Sequence, residues 1–136
     1  MTRNSDVAKV MRDLGFLTEI AEEDPNVQFR ARAYYRAADT IASLPENVTD
    51  IYSKHGVKGL LEIPSVGKAI ALKIEEYLKG HKVHHLEELK AKVPISIDEM
   101  YGIEGIGPKT IKMFYDKLQI KNLADLEKAA TEGKLK

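Results

Sequence analysis

Two segments of the chain place a tight turn with a terminal glycine directly before an amphipathic helix. The first is Leu60–Lys79, LLEIPSVGKAIALKIEEYLK, and the second is Met100–Leu118, MYGIEGIGPKTIKMFYDKL. A shift of 40 residues superimposes the apolar pair and the last glycine of each turn: Ile63 on Ile103, Val66 on Ile106, and Gly67 on Gly107. An internal repeat of this kind indicates that one structural module is used twice.

The residue types of these turns suit the binding of an anion by backbone amides. Glycine lets the backbone come close to a ligand and tolerates positive φ. Gly67 and Gly107 each open a helix, whose first N–H groups have no partner inside the helix and lie at its positive end. Such a site binds phosphate without reading a base. Each copy therefore predicts a helix-hairpin-helix that holds a nucleic-acid phosphate. The alternative is an ordinary helix connection with a glycine turn, and two copies in register favour phosphate binding.

The elements around these turns are predicted to be helices. Asn4 or Ser5 can cap a first helix, and a second runs from about Val27 to about Leu44. Phe29, Ala33, Ala37 and Ile41 are expected to face the core from this second helix. Short helices follow at Val48–His55, around Val83–Leu89, and from Asn122 or Asp125 to Thr131, and Gly80 is expected to end the helix of the first hairpin. No stretch shows sustained two-residue alternation, so the predicted fold is all-α.

The chain is predicted to form two small helical subdomains, each with one hairpin. Pro94–Ser96 is interpreted as a hinge, which divides the chain into residues 1–93 and 94–136. The hairpins occupy about 60–79 and about 100–118.

Composition limits the classes of function. Lysine plus arginine equals aspartate plus glutamate, 21 each, which argues against a large sequence-independent electrostatic grip on nucleic acid. There is no cysteine, which excludes disulfides, thiol chemistry and cysteine-based zinc sites. No apolar run approaches the length of a membrane span, and the first ten residues lack a signal-peptide core. These features predict a soluble intracellular protein, cytoplasmic or, in a eukaryote, nuclear, without a membrane partner.

Two other groups of side chains have competing interpretations. His81, His84 and His85 are interpreted as a solvated basic turn rather than a metal site, because no cysteine or acidic cluster completes a ligand set. The tyrosines can stack on bases, but most are expected to fill or border the core. Tyr35 is the exception, because Arg32 and Arg36 flank it.

Several motifs agree in order and spacing with one known family. They are Ala33-Tyr34-Tyr35-Arg36-Ala37-Ala38, Ile63-Pro64-Ser65-Val66-Gly67 with Ile70-Ala71 and Lys73-Ile74, Gly105-Ile106-Gly107-Pro108, and Asn122-Leu123-Ala124-Asp125-Leu126. From about residue 5 to its end, the chain resembles the amino-terminal region of family X DNA polymerases, those like DNA polymerase beta. The resemblance implies a helical lyase domain followed by a DNA-binding subdomain.

The resemblance implies a catalytic role for Lys73. This residue falls on the family's Schiff-base lysine, which attacks the open-chain aldehyde of a 5′-deoxyribose phosphate before β-elimination releases the DNA end. A lysine with this role needs an amine made available by desolvation or nearby positive charge, and Lys68 can supply such charge. The alternative is a lysine that extends along the edge of a buried face. Tyr35 matches a tyrosine of the same pocket.

The phosphate pocket implied by the resemblance departs from the family pattern. Arg30 and His85 stand where the family has a histidine and a lysine, and Ala31 and Ala69 replace two further lysines. Ser65 stands in the first hairpin where the second has Gly105, so phosphate is expected to approach less closely there. The phosphate-binding residues that the resemblance implies at the hairpins are Gly67 and Lys68 in the first copy and Gly105, Gly107, Lys109 and Thr110 in the second.

The resemblance also implies a structural K⁺ or Na⁺ at each hairpin, with no cofactor for the lyase chemistry. Backbone carbonyls would hold the ion, and they belong to Leu61, Ile63 and Val66 in the first copy and to Tyr101, Ile103 and Ile106 in the second. Residue types do not test this expectation, because every residue carries a carbonyl.

Polymerase chemistry is not expected from this chain. It requires closely spaced carboxylates for two metal ions, and the sequence contains no Asp-x-Asp pair. We expect a monomeric region that continues into a polymerase catalytic domain and grips gapped or nicked DNA in base-excision repair, without sequence preference. Whether it is also a deoxyribose phosphate lyase is left open. The alternative is a non-catalytic helix-hairpin-helix module that binds DNA or a protein of a repair complex.

Overall fold

The computed structural model describes residues 3–21, 25–97 and 107–131. Within these ranges the chain forms seven helices and no strand, which confirms the all-α prediction. The helices are α1 (Asn4–Ala21), α2 (Val27–Ser43), α3 (Val48–Leu61), α4 (Lys68–Gly80), α5 (His84–Lys92), α6 (Pro108–Leu118) and α7 (Leu123–Thr131).

The pair α1 and α2 is the centre of the core. Met11, Leu14 and Leu17 of α1 are fully buried. On α2 the small residues Ala31, Ala37 and Ala38 are also fully buried and let the two helix backbones approach closely. Gly15 of α1 lies at the closest approach, since a Cβ there would stand 2.8 Å from the Tyr35 ring and 3.1 Å from the Ala31 carbonyl oxygen. Small residues on both helices therefore set their separation.

The predicted core face of α2 was wrong at its amino-terminal end. Phe29 is 73% exposed, whereas Ala31, Tyr34, Ala38 and Ile41 are buried. At 100° per residue Phe29 lies about 140° around the helix from Tyr34. The face of α2 that touches α1 is the one rich in alanine, because only small side chains allow this close packing, and this orientation turns Phe29 to solvent.

Helix α3 changes direction at Gly56, where φ is 65° and ψ is −152°. This backbone conformation is available to glycine and strained for other residues. The kink falls directly after the predicted end of a short helix at His55. The last residues of α3, up to Leu61, then lead into the first hairpin turn.

Helix α4 includes Gly80, so the expected stop at this glycine was one residue early. His81 takes the left-handed conformation instead, with φ 56°, and its N–H donates to the Tyr77 carbonyl at 2.7 Å. The next helix, α5, begins under the side chain of Glu76, whose Oε2 accepts the His84 N–H at 2.6 Å. A carboxylate of α4 therefore caps α5 and fixes the turn between them.

The linker Pro94–Ser96 is fastened to the second half of the chain. The Ser96 N–H donates to the Lys121 carbonyl at 2.6 Å, and Ile97 is buried. Ile111 and Ile120 belong to the same apolar cluster as the α1 residues. The core is thus continuous across the predicted hinge, and the division into residues 1–93 and 94–136 stays a prediction.

None of the helices within the described ranges combines the length and the apolar character that crossing a membrane requires.

Candidate nucleic-acid interface

The first hairpin turn is locked from below by three buried apolar side chains, those of Leu60, Ile63 and Val66. Two backbone hydrogen bonds close the turn above them. The Ile63 N–H donates to the Leu60 carbonyl and the Val66 N–H to the Ile63 carbonyl, both at 3.1 Å. The apolar pair predicted from the sequence therefore anchors the turn and leaves its outer side to solvent.

Ser65, on the outer side of this turn, is exposed and has a φ of 69°. A residue with a Cβ is disfavoured in this left-handed region by roughly 1–2 kcal/mol, and glycine is not. The equivalent residue of the second copy is Gly105. The turn thus adopts a backbone that suits glycine even where the sequence has serine.

Gly67 is the residue before α4 and keeps the amino terminus of this helix open. Its φ of −87° and ψ of −179° are ordinary extended values, and no side chain caps the helix at this position. A Cβ added at Gly67 would meet nothing within 4 Å. Neither the backbone nor the packing requires glycine here. The absence of a side chain leaves the first amides of α4 accessible, with Lys68 exposed beside them.

Gly107 repeats this arrangement before α6. Its φ of −100° and ψ of 178° match those of Gly67, no side chain caps the helix, and a Cβ would again meet nothing within 4 Å. Lys109 is exposed and Thr110 half-exposed in the first turn of the helix. The other residues predicted to act in this hairpin, Tyr101, Ile103, Gly105 and Ile106, lie outside the described residues.

The charges at these two helix ends favour an external anion. Four other described helices, α1, α3, α5 and α7, carry an acidic residue in the first turn: Asp6, Asp50, Glu87 and Asp125. Helices α4 and α6 have none there, and neither has α2, which no hairpin turn precedes. An acidic side chain in the first turn partly neutralises the positive end of a helix. The two hairpin helices therefore keep that positive end available to an incoming anion.

Comparison with known proteins agrees with this geometry. The family model described as helix-hairpin-helix domain matches residues 2–83, which is more than half of the chain. A second model, SAM-like helix-hairpin-helix tandem, matches residues 97–136. The chain belongs to the helix-hairpin-helix domain family.

A curated relative extends this assignment. DNA polymerase/3'-5' exonuclease PolX of Bacillus subtilis (strain 168) is 21% identical over 130 residues, which are 96% of this chain and 21% of that protein. The chain thus spans about a fifth of the length of the relative it matches. The resemblance to the helix-hairpin-helix region of a family X polymerase is confirmed.

Lys73 lies on α4 in the first helix-hairpin-helix and is half-buried. Its neighbours Ile70 and Ile74 are buried, so its aliphatic stem lies at the border of the apolar face. Its ammonium group makes no hydrogen bond or ion pair with the residues that the structure describes. Among the residues that the structure describes, none occupies the amine.

Tyr35 is held by α1. Its hydroxyl donates to Glu19 Oε2 at 2.6 Å, and its ring lies against Gly15. Helix α2, which carries Tyr35, packs on α1, whereas α4, which carries Lys73, packs on α3. The hydrogen bond to Glu19 directs the phenol toward α1.

The remaining pocket positions lie on α2, α4 and α5. Arg30 is exposed, and His85 is half-buried with its Nδ1 4.0 Å from Glu88 Oε2. Ala31 is fully buried, so the residue that replaces a lysine there faces the core of this chain. The described part of the chain contains no cluster of three His, Cys, Asp or Glu residues arranged to bind a metal ion.

The carbonyls of the first hairpin are partly available to a cation. The Ile63 oxygen accepts the Val66 N–H, and the Leu61 and Val66 oxygens accept no backbone hydrogen bond in the described turn. Oxygen donors of this kind suit a hard cation.

One interaction at the hairpin gave no signal in the sequence. The Tyr52 hydroxyl of α3 donates to Glu75 Oε2 of α4 at 2.6 Å, and Lys79 Nζ lies 3.9 Å from the same oxygen. This hydrogen bond, together with burial and the negative charge of Glu75, raises the pKa of Tyr52 above its usual value. Nothing in the spacing of residues 52 and 75 indicates the contact, which joins the two helices of the first helix-hairpin-helix.

Proposed function

We propose that this chain binds DNA through the sugar-phosphate backbone, without sequence preference, by the amino-terminal ends of α4 and α6. One observation carries the proposal. Gly67 and Gly107 share an extended backbone, have room for a Cβ and precede helices that no side chain caps. Since the fold does not require glycine at either residue, close approach of a ligand explains both, and phosphate is the ligand that helix amides favour.

Two such sites on one chain suit DNA that is interrupted. Each hairpin grips a short stretch of backbone, and a nick or gap lets two stretches be held at an angle that an intact duplex resists. Equal numbers of acidic and basic residues, 21 each, favour a grip made by local amides and a few lysines over a broad basic surface. The likeness to a DNA polymerase supports DNA as the partner.

The test is a set of dissociation constants, measured by fluorescence anisotropy, for intact, nicked and one-nucleotide-gapped duplexes at several salt concentrations. We expect the gapped duplex to bind most tightly and a shuffled sequence to bind within about twofold. Contact with two to four phosphates corresponds to a slope of log K against log salt of roughly −2 to −4. Absence of binding at low salt, or a preference for one base sequence, would reject the proposal in favour of a protein-interaction module.

A second function, removal of a 5′-deoxyribose phosphate, is supported by the state of Lys73. The residue is half-buried between the buried Ile70 and Ile74 on α4, and no described side chain binds its amine. Nζ would attack C1′ of the open-chain sugar and form a Schiff base with loss of water. Loss of a proton from C2′ then breaks the C3′–O bond, which releases the 5′-phosphate end of the DNA, and hydrolysis returns the free lysine.

Borohydride trapping tests this second function. The chain and Lys73→Ala are each incubated with gapped DNA that carries a 5′-deoxyribose phosphate. A covalent adduct that disappears in Lys73→Ala supports the lyase and its nucleophile, and an adduct that persists points to another amine such as Lys68. If wild type gives no adduct but binds gapped DNA, the chain is a DNA-binding module in which this lysine is not catalytic.

The same proposal includes a monovalent cation at the first hairpin and a role for this region within a longer protein. The carbonyls of Leu61, Ile63 and Val66 would hold K⁺ or Na⁺ between the first hairpin and a DNA phosphate. Replacement of K⁺ by tetramethylammonium at equal ionic strength should then weaken binding to gapped DNA. In a longer protein, this region would deliver gapped DNA to a polymerase catalytic domain.

A further inference from the structure

A groove, here called the α1–α5 groove, runs between α1 and α5 at the carboxyl end of α4. It consists of two adjoining cavities of about 210 and 260 Å³, and Lys9, Asp13 and Lys90 line both of them. Tyr77 lines the first cavity and lies about 15 Å along α4 from Gly67, at a rise of about 1.5 Å per residue. The groove is therefore separate from the helix ends proposed to bind phosphate.

The floor of the groove is apolar. Five side chains form it: Val10, Val83 and Leu86 in the first cavity, and Ile95 and Ile97 in the second. The linker that carries the last two is fixed in place, because the Ser96 N–H donates to the Lys121 carbonyl at 2.6 Å. An apolar side chain of a ligand would gain from leaving water for this floor.

Charged side chains of both signs line the groove. In the first cavity three lysines stand beside three carboxylates: Lys9, Lys82 and Lys90 beside Asp6, Asp13 and Glu87. A phosphate or a metal ion would therefore meet as many charges that repel it as charges that attract it. The lining favours a ligand without net charge that both donates and accepts hydrogen bonds.

The ion pairs of the groove leave part of its hydrogen-bonding capacity unused. Lys9 Nζ lies 3.0 Å from Asp13 Oδ2, and Lys90 Nζ lies 3.6 Å from Glu87 Oε2, so each pair stays within one helix. Asp13 is only 9% exposed, and its Oδ1 accepts no hydrogen bond from a described residue. Lys82 also binds no described residue. A largely buried carboxylate oxygen without a partner favours a ligand that donates to it.

We propose that the α1–α5 groove binds an extended peptide segment of a partner protein. The backbone of an extended peptide offers N–H donors to the carboxylates and C=O acceptors to the lysines. Its side chains point alternately to two sides, so one apolar side chain can lie on the floor. Asp6 and Asp13 are about 10 Å apart along α1, which is the length of about three extended residues. The second cavity extends this length.

Other occupants satisfy the groove less completely. DNA would bring its phosphates against the carboxylates of Asp6, Asp13 and Glu87. A small zwitterion would match the charges of one cavity and leave the other empty. The inference does not depend on the DNA-binding function proposed above, because the groove includes no residue of the two hairpin turns.

A phage-displayed library of random heptapeptides tests the groove. The immobilised chain is panned with the soluble double variant Lys82→Glu/Lys90→Glu as competitor, which removes peptides that bind elsewhere. We expect enriched peptides that share one apolar residue, and their synthetic forms should bind the double variant at least about tenfold more weakly than wild type, because two attractive charges become repulsive. Failure to enrich any heptapeptide over the competitor would overturn the proposal.

Two exposed lysines outside the groove provide matched controls. Lys58→Glu and Lys92→Glu make the same charge change at residues that line neither cavity, and their combination should keep peptide affinity within about twofold. Equal weakening in the control variant would mean that net charge, not the groove, binds the peptide. Circular dichroism checks that the variants stay helical. If Lys82→Glu/Lys90→Glu loses helix, Lys82→Ala and Lys90→Ala replace it in the same comparison.

Methylation of the peptide backbone tests how the groove recognises its ligand. A selected heptapeptide with N-methyl groups on its central amides has lost the donors proposed to bind the carboxylates. It should bind at least about tenfold more weakly than the unmethylated peptide. Unchanged affinity would show that side chains alone are read and would reject recognition of an extended backbone.

The outcomes for the groove and for the hairpins are distinguishable. Gapped DNA should leave peptide affinity within about twofold, since the two sites are on different parts of the chain. If gapped DNA displaces the peptide, and Lys82→Glu/Lys90→Glu weakens DNA binding more than the control variant does, the groove is part of the nucleic-acid surface and the proposal is rejected. Peptide binding by a wild type that binds no DNA would reject the hairpin function and leave the groove.

Discussion

The two hairpin helices, α4 and α6, begin alike and differ in what they carry further along. Both follow a glycine in extended conformation, lack an acidic residue in the first turn and have no side-chain cap. Both also end at a left-handed residue that is not glycine, His81 after α4 and Gln119 after α6, each with φ 56°. The two copies therefore share the amino-terminal end, where the proposed phosphate grip lies, and the conformation of the residue that ends the helix.

The two helices differ in a side chain that lies more than one turn after the helix start. With the shift of 40 residues, Met113 of α6 takes the place of Lys73 of α4, and Met113 is 45% exposed. The first-turn lysine also moves by one residue, since Lys68 comes directly after its glycine and Lys109 comes two residues after Gly107. The comparison teaches that the open helix start, proposed to bind phosphate, occurs in both copies, whereas a lysine at this register occurs in α4 alone.

The largest effect is expected when the first copy is made to resemble the second. Lys73→Met should reduce the borohydride-trapped adduct at least 100-fold, because the thioether cannot form a Schiff base, while gapped-DNA affinity stays within about twofold. The measurement is adduct yield on a denaturing gel beside anisotropy. Met113→Lys is the reciprocal control, and we expect it to add no adduct in the Lys73→Met background. An adduct restored by Met113→Lys would mean that register, not the α4 environment, determines the reaction.

Serine in place of the helix-opening glycines should separate stability from binding. A serine at this position caps the helix by accepting a first-turn N–H, so Gly67→Ser and Gly107→Ser should leave the free energy of unfolding unchanged or raise it by a few tenths of a kcal/mol. The same hydroxyl occupies the amides proposed for phosphate, and each variant should bind gapped DNA about 5- to 10-fold more weakly.

Urea unfolding and fluorescence anisotropy on the same samples measure the free energy of unfolding and the dissociation constant for gapped DNA. The double variant should lose more affinity than either single one if both hairpins grip. If only one substitution weakens binding, the two hairpins are not equivalent DNA-binding sites. If neither does, the open helix ends are not the DNA site.

A third contrast concerns glycines that the fold does and does not require. Gly56→Ala should destabilise the chain by about 2 kcal/mol, because φ 65° with ψ −152° is strained for a residue with a Cβ. Gly80→Ala, in the last turn of α4 with open space around it, should instead stabilise by about 0.5–1 kcal/mol. Chemical denaturation with a common m-value measures both. Equal stability of the two variants would show that the α3 kink is not fixed by Gly56.

A substitution at Ser65 that makes the first hairpin turn more like the second should have a smaller effect on stability. Ser65→Gly gives the first turn the residue type of the second, and relief of its left-handed strain should stabilise the chain by about 0.5–1 kcal/mol. Ser53→Gly, at an exposed residue inside α3, is the control and should destabilise by about 0.5 kcal/mol. Thermal unfolding checks both signs, and a loss of stability in Ser65→Gly would contradict the strain assigned to this turn.

The sequence predicted the helices and the hairpin because both depend on local residue patterns. The turn of the first hairpin follows from Ile63, Val66 and Gly67, whose types and spacing specify buried anchors and an open helix end. The prediction from helical periodicity was wrong at Phe29. The face of α2 that packs on α1 depends on how closely the two helices can approach, and Ala31, Ala38 and Gly15 together determine that distance. The spacing of apolar residues within one helix does not indicate which helix packs against it or how closely.

The candidate site divides in the same way. The sequence predicted Gly67, Lys68, Gly107 and Lys109 as site residues, since glycine turns before helices are visible in the chain itself; the structure places them at the starts of α4 and α6, and their role stays a prediction. The bonds of Tyr35 to Glu19 and of Tyr52 to Glu75 were not, because each joins residues from different helices with no common motif. Long-range polar contacts depend on tertiary packing, so the surroundings of Lys73 required the structure.

The smallest expected effect concerns the contact that holds α3 against α4, for which the second hairpin shows no counterpart among the described residues. The Tyr52 hydroxyl donates to Glu75 Oε2, and this bond raises the pKa of Tyr52 above the usual tyrosine value of 10.0. The folded state therefore favours the neutral phenol. Its contribution to stability is fully present below about pH 10 and is lost as the pH rises through the higher pKa of the folded state.

Urea midpoints measured between pH 8 and pH 11 test this contact. Over the upper part of this range, the stability of wild type should fall more steeply than that of Tyr52→Phe, because the phenylalanine has no proton to release. Near pH 8, Tyr52→Phe should already be less stable than wild type, because it lacks the hydrogen bond. The difference between the two chains isolates Tyr52 from the other tyrosines and the lysines, which titrate in both. Parallel curves would mean that the bond does not stabilise the first hairpin, and α4 would then be held against α3 by its apolar face alone, through Ile70 and Ile74.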